Sequence, residues 1–188
     1  MKKLMIFILG FATVAMAQFQ FPAQPVKLKP ILEVAGADSG EQFGAYVKGV
    51  GDLNKDGYAD VAVSAPGIYK TFIYYGGKTM SQTPSLTLEG GGHIVSGDFK
   101  GNGWIDLAIE IPFHDTVIVY YNGPNGLDTI PDLILTMHSN YFGYVMTTGD
   151  FFGNGYTDLA IATMDEDKWV HPYIKQEGYS FMPVVGEG

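Results

Sequence analysis

From residue 30 onward the apolar positions never settle into a helical spacing. They come in short runs of β-branched, aliphatic and aromatic residues, broken by clusters of Gly, Pro, Asn and Asp. The runs predict strands at 45–50, 61–63, 71–75 and 85–88, then at 94–96, 107–109, 116–121 and 133–137, then at 144–147, 159–161, 169–174 and 179–185. A lone strand, PILEVAG at 30–36, precedes them. The intervening stretches carry the residues that tight hairpins require. An all-β chain is expected.

The runs repeat. GDLNKDGYAD at 51–60, GDFKGNGWID at 97–106 and GDFFGNGYTD at 149–158 align, and each leads into an apolar run. Ala65-Pro66 recurs as Ile111-Pro112, Tyr74-Tyr75-Gly76-Gly77 as Tyr120-Tyr121-Asn122-Gly123, and Phe43-Gly44 as Phe142-Gly143. Asp52, Asp98 and Asp150 mark a period of roughly 46 to 52 residues. Four short strands per period of ~40–50 residues is the pattern of a β-propeller blade. About three four-stranded blades are predicted, at about 37–89, 90–138 and 139–188. Propellers close with about 4–8 blades, so the ring is incomplete or completed by oligomerisation. A fragment of a longer propeller, a six-bladed ring of two copies and an open stack capped by the N-terminal segment all stay open.

The repeated loop carries the candidate chemistry. In the first copy Asp52, Asn54, Asp56 and Asp60 stand at positions 1, 3, 5 and 9, with Gly57 for the turn and the Tyr58 carbonyl at position 7. Such an all-oxygen set suits Ca²⁺, which takes six to eight oxygens in flexible geometry, and disfavours zinc and copper. Position 12 is Val63 and no helix flanks the loop, so this is not an EF-hand. An Asx-rich turn without metal is the alternative. The second copy keeps Asp98, Asn102 and Asp106 but has Lys100 at position 3; the third keeps Asp150, Asn154 and Asp158 but has Phe152 there. Both read better as metal-free Gly-Asn-Gly turns. A Lys100 ammonium folded between Asp98 and Asp106 is expected to stand in for an ion.

Residues 1–17, MKKLMIFILGFATVAMA, have a basic start, a short apolar stretch and an Ala-x-Ala end. They predict a cleaved export signal, being too short for the ~20 residues that span a bilayer. Residues 18–29 read as an extended leader. The 188 residues hold no cysteine, and the 11 basic residues, all lysine, face 20 acidic ones, for a net charge of −9. Disulfides, thiolate metal sites and a catalytic thiol are excluded. An acidic, arginine-free chain is a poor nucleic-acid binder. Gly90-Gly91-Gly92-His93 lacks the Lys-Ser/Thr of a phosphate cradle, and no Gly-x-Ser-x-Gly elbow is present. His93, His114, His138 and His171 lack metal-ligand spacing. Asp165-Glu166-Asp167 reads as a solvated hairpin tip. Trp104 and the tyrosines are expected to fill space between sheets rather than line a sugar site.

Phe43-Gly44, GDLNKDGYADVAVSAP at 51–66 and the strand ending in Gly76-Gly77 resemble the FG-GAP repeat, found in the β-propeller head of integrin α chains and in bacterial extracellular proteins; the related VCBS-type repeats look similar. Copies two and three match through the GD…GNG…D core. The resemblance implies Ca²⁺ in the loop between the first two strands, held by Asp52, Asn54, Asp56, the Tyr58 main chain and Asp60. It implies a non-catalytic module for adhesion or for binding an extracellular protein or glycan; the signal segment implies a secreted, cell-surface or periplasmic location with no membrane span after cleavage, and the blade count leaves a homodimer open. The alternatives are an accessory or catalytic propeller of a polysaccharide-degrading enzyme, or a purely structural segment of a larger surface protein.

Overall fold

The computed structural model describes the backbone of residues 3–6, 29–137, 141–163, 173–175 and 182–183, and side chains for 29–137 and 141–163. The expectations for most of residues 1–28, for His138 and His171, for Asp165-Glu166-Asp167 and for most of the last two strands fall outside these residues.

Among the described residues the chain is all-β, with one short 3-10 turn at Pro66–Ile68. Strands β1 (Lys3–Ile6) and β2 (Leu32–Ala35) form a two-stranded ribbon. Three antiparallel four-stranded meanders follow. The first is β3 (Val47–Gly51), β4 (Asp60–Ala65), β5 (Lys70–Tyr74) and β6 (Leu86–Glu89). The second is β7 (Ile94–Gly97), β8 (Asp106–Ile111), β9 (Thr116–Tyr120) and β10 (Leu133–Thr136). The third is β11 (Val145–Gly149), β12 (Asp158–Ala162), β13 (Tyr173–Lys175) and β14 (Met182–Pro183). Strands β2 to β12 fall on the predicted runs, offset by a residue or two at their ends, whereas β1 lies in the segment read as an export signal, where no strand is predicted.

The sheets stack in chain order, as β-propeller blades do. Strand alternation explains how. In β4, Ala62 faces the second sheet while Val61 and Val63 face β2. In β9, Ile118 and Tyr120 face the first sheet while Val117 and Val119 face the third. β4 and β9 are therefore buried on both faces, and read as near-continuous apolar runs instead of a polar–apolar alternation. One core joins Val50, Leu53, Ile73 and Leu88 to Leu107, Ile109 and Ile118; a second joins Val95, Phe99 and Leu135 to Phe142, Leu159 and Ile161. At about 25 cal/mol per Å² of apolar surface, such double-faced burial supplies cohesion to a chain that holds no cysteine. The first strands β3, β7 and β11 adjoin one another, with β7 touching both neighbours.

Candidate functional site

The hairpin between the first two strands of each sheet holds the repeated Asp loop, and all three loops share one frame. Its base is a cross-strand pair in equivalent register: Gly51↔Asp60, Gly97↔Asp106 and Gly149↔Asp158. The last Asp of each pair is buried, at 0%, 0% and 1% exposure. Its Oδ2 accepts the N–H of the second loop residue: Leu53 at 2.7 Å, Phe99 at 2.8 Å and Phe151 at 2.8 Å. Its Oδ1 accepts an N–H from beyond the third strand, Gly76 at 2.7 Å for Asp60 and Asn122 at 2.7 Å for Asp106. The first Asp caps the turn from inside. Asp52 accepts from Asp56 and Gly57 at 3.0 and 2.8 Å, Asp98 from Asn102 and Gly103 at 2.9 and 2.7 Å, and Asp150 from Asn154 and Gly155, both at 2.9 Å. Gly57, Gly103 and Gly155 take φ of +90, +78 and +84°, where any side chain is strained.

Burial sets the electrostatics. Asp60 is raised above the ordinary carboxylate value mainly by burial, opposed by the N–H groups of Gly76 and Leu53 and assisted by the charges of Asp56 and Asp52. Asp106 is raised to about 6, again mainly by burial and against the N–H groups of Asn122 and Phe99. Exposed Asp150 is lowered, chiefly by the Gly155 N–H.

The loops differ at positions 3 to 5. In the first, Oδ1 of Asp52 and Oδ1 of Asn54 both lie at hydrogen-bond distance from the Asp56 N–H, 3.0 and 3.1 Å, so the two oxygens converge. Asp56 joins them: Asn54 Nδ2 donates to its Oδ2 at 3.0 Å, and its Oδ1 accepts from Tyr58 N–H at 2.9 Å. Asp52, Asn54 and Asp56 thus gather at one partly exposed place, with Asp60 buried at the base of the hairpin. Lys55, at position 4, does not neutralise them; its ammonium lies 4.0 Å from the centre of the Trp104 ring. In the second loop Asn102 Oδ1 accepts from Trp104 N–H and in the third Asn154 Oδ1 from Tyr156 N–H, while Lys100 and Phe152 add no oxygen.

One expectation is overturned here. The Lys100 ammonium does not sit between Asp98 and Asp106; it lies 5.1 Å from the Tyr121 ring centre, and the described residues show no ion pair between it and either carboxylate. The reason is that backbone N–H groups already hold both carboxylates, leaving an aromatic face as the better neighbour for the cation.

The donor chemistry of the first loop fits calcium: three carboxylates and an amide, all hard oxygens, beside a main-chain carbonyl. Among the described residues no three Asp, Glu or His side chains form a ready-made metal cluster; each loop carboxylate is turned onto main-chain N–H groups. The second and third loops supply two carboxylates and one amide each, a weaker fit.

Sequence reasoning missed two features. Buried Asn122 stitches neighbouring repeats, donating from Nδ2 to the Leu53 and Ile105 carbonyls at 2.8 and 3.1 Å. At the opposite end of the sheets, His93 Nδ1 pairs with buried Glu110 at 2.9 Å, its ring 4.0 Å from that of Tyr46 and 4.7 Å from that of Tyr144. The signal was available: Tyr46, His93 and Tyr144 each immediately precede the first strand of their repeat.

The FG-GAP-like repeat family model matches residues 52–109, which span the first loop, β4 to β7, the second loop and the start of β8. The chain is an FG-GAP repeat protein. Integrin alpha-5 of Xenopus laevis is 28% identical over 172 residues, covering 74% of this chain and 16% of that protein. Integrin alpha-6 of Homo sapiens is 30% identical over 151 residues, covering 70% of this chain and 13% of that protein. Phosphatidylinositol-glycan-specific phospholipase D of Rattus norvegicus is 28% identical over 152 residues, 63% of this chain and 18% of that protein. The FG-GAP repeats here thus span less than a fifth of the length of these relatives. Among the described residues no helix is long and apolar enough to cross a membrane.

Proposed function

We propose that this FG-GAP repeat protein is a non-catalytic, extracellular adhesion-type module that binds a protein or glycan and carries one structural calcium ion. The observation that supports it is the gathering of Asp52, Asn54 and Asp56 in the first loop, on a frame the other loops share without that oxygen set. Asp52, Asn54, Asp56, Asp60 and the Tyr58 carbonyl would hold the ion. Bound there, it supplies charge neutralisation and a clamp between β3 and β4. Residues 1–17 are removed on export, and residues 37–89, 90–138 and 139–188 form the blades. A calcium-rich exterior suits an affinity as weak as ~10⁻⁴–10⁻³ M.

Thermal unfolding of the whole chain with millimolar calcium against chelator tests the clamp. The expected result is a higher midpoint with calcium, lost in Asp56→Ala. An unchanged midpoint contradicts it. The similarity to a phospholipase D favours a second reading, a propeller accessory to an enzyme. Hydrolysis of a phosphatidylinositol glycan or a polysaccharide by the purified chain would replace the non-catalytic reading.

A further inference from the structure

β2 belongs to no four-stranded sheet, yet it is built as the fourth strand of one. Pro30-Ile31-Leu32-Glu33-Val34 repeats the spacing of Pro84-Ser85-Leu86-Thr87-Leu88 and Pro131-Asp132-Leu133-Ile134-Leu135, the segments that form β6 and β10. The packing matches the spelling. Leu86 and Leu88 seat on the second sheet and Leu133 and Leu135 on the third. Leu32 and Val34 seat in the same manner on Val61, Val63 and Tyr74 of the first.

A fourth strand needs a third strand beside it. β6 pairs with β5 as Ile73↔Leu86, Phe72↔Thr87, Thr71↔Leu88 and Lys70↔Glu89. β10 pairs with β9 as Val119↔Leu133, Ile118↔Ile134, Val117↔Leu135 and Thr116↔Thr136. β1 holds that place on β2 in the same antiparallel register: Ile6↔Leu32, Met5↔Glu33, Leu4↔Val34 and Lys3↔Ala35. β1, however, lies inside the segment proposed to leave on export. Its loss bares an edge whose main-chain groups attract another strand.

We propose that β2 pairs with β13 of a second copy, in the place β14 holds, and that residues 3–6 cover this edge until the leader is removed. β13 is the third strand of the last described sheet, and among the described residues it pairs with β14 at Ile174↔Met182 and Tyr173↔Pro183. One of those two is a proline, which has no N–H to donate. Leu32 and Val34 stay seated on their own first sheet, so the new contact continues an interface already packed. Reciprocal exchange between two copies joins the three described four-stranded sheets of one to those of the other, and six sheets lie within the range in which propellers close.

The register names the test. Val61↔Tyr74 and Leu159↔Lys175 are equivalent pairs, so Tyr173 corresponds to Phe72, and Phe72 pairs with Thr87. Residue 33 of one copy therefore faces residue 173 of the other. The chain has no cysteine of its own. Chain exported by its host, with its N-terminus read by mass spectrometry, is expected to lack residues 1–17 and to be a dimer by light scattering. The Glu33→Cys/Tyr173→Cys variant, treated with a short bis-maleimide, is expected to give a product of twice the mass, and mixed single variants the same hetero-product. Chain that retains residues 1–17 is expected to be monomeric, and Met5→Cys/Glu33→Cys to link within it. A monomer after processing, a leader that is never removed, or equal linking of either single variant alone overturns the proposal. Light scattering needs no substitution, so a cysteine variant that fails to fold leaves the test standing.

Discussion

The loops at 52–60 and 98–106 have the same skeleton and different contents. In both, a buried Asp accepts two backbone N–H groups across the base of the hairpin and a more exposed Asp accepts two more inside the turn. What changes is position 3, Asn54 against Lys100, and position 5, Asp56 against Asn102. The shared aspartates are therefore needed to build the turn whether or not an ion is present. In the proposed calcium site, the variable positions decide the ion. The same split explains position 4: Gly101 takes φ +67° freely, while Lys55 accepts φ +58° and lays its ammonium against Trp104 of the next repeat.

The largest expected effect comes from removing the shared acceptor. Asp106→Ala strands the Phe99 and Asn122 N–H groups in a buried site, at about 1–3 kcal/mol each. Asp60→Ala strands those of Leu53 and Gly76 at similar cost. Asp158→Ala strands the exposed Phe151 N–H among the described residues, and that one bond is worth about 1 kcal/mol. Urea unfolding in chelator measures all three, and a cost that appears only when calcium is present would break the division between skeleton and contents.

Titration gives the next effect. Asp106 is raised to about 6 in the fold. The native state therefore holds more protons than the unfolded chain between pH ~4 and ~6, and stability from this group falls as pH rises through that window. A shift of this size is worth on the order of 3 kcal/mol. In chelator, the difference in unfolding free energy between the parent and Asp106→Asn should shrink by that order from pH 4 to pH 7. A difference that grows with pH contradicts the burial-dominated assignment. Exposed Asp150 runs the other way: its stabilisation is present above the ordinary carboxylate value and fades as pH falls through the lowered one.

Exchange of the contents has the smallest effect on stability and the sharpest on binding. Asn54→Lys/Asp56→Asn is expected to change chelator-state stability by less than about 1 kcal/mol, since position 3 contributes to no shared bond of the frame. Its calcium affinity should drop at least about tenfold, since Asn54→Lys removes a neutral ligand and adds a positive charge while Asp56→Asn turns a charged ligand into a neutral one. The reciprocal Lys100→Asn/Asn102→Asp should create a second calcium site, read by calorimetric stoichiometry.

Much of this was legible beforehand because strands buried on both faces spell themselves as apolar runs, and because each Asp loop carries Asp at its first and ninth positions and Gly at its sixth. The roles inside the loop were not. Asp60 reads as one ligand among five, yet its two oxygens already accept N–H groups from residues 7 and 16 positions away in the chain. A long-range main-chain bond has no spelling. The same holds for Lys100, whose neighbour Tyr121 lies across the sheet, and for the His93–Glu110 pair, which lies between tyrosines of two other repeats.

The central claim is that one loop in three takes an ion on a frame common to all. Isothermal titration of calcium into the whole chain tests it most directly. The expected result is a single site per chain that disappears in Asn54→Lys/Asp56→Asn and persists in Lys100→Ala. No heat of binding, or three equivalent sites, would contradict it.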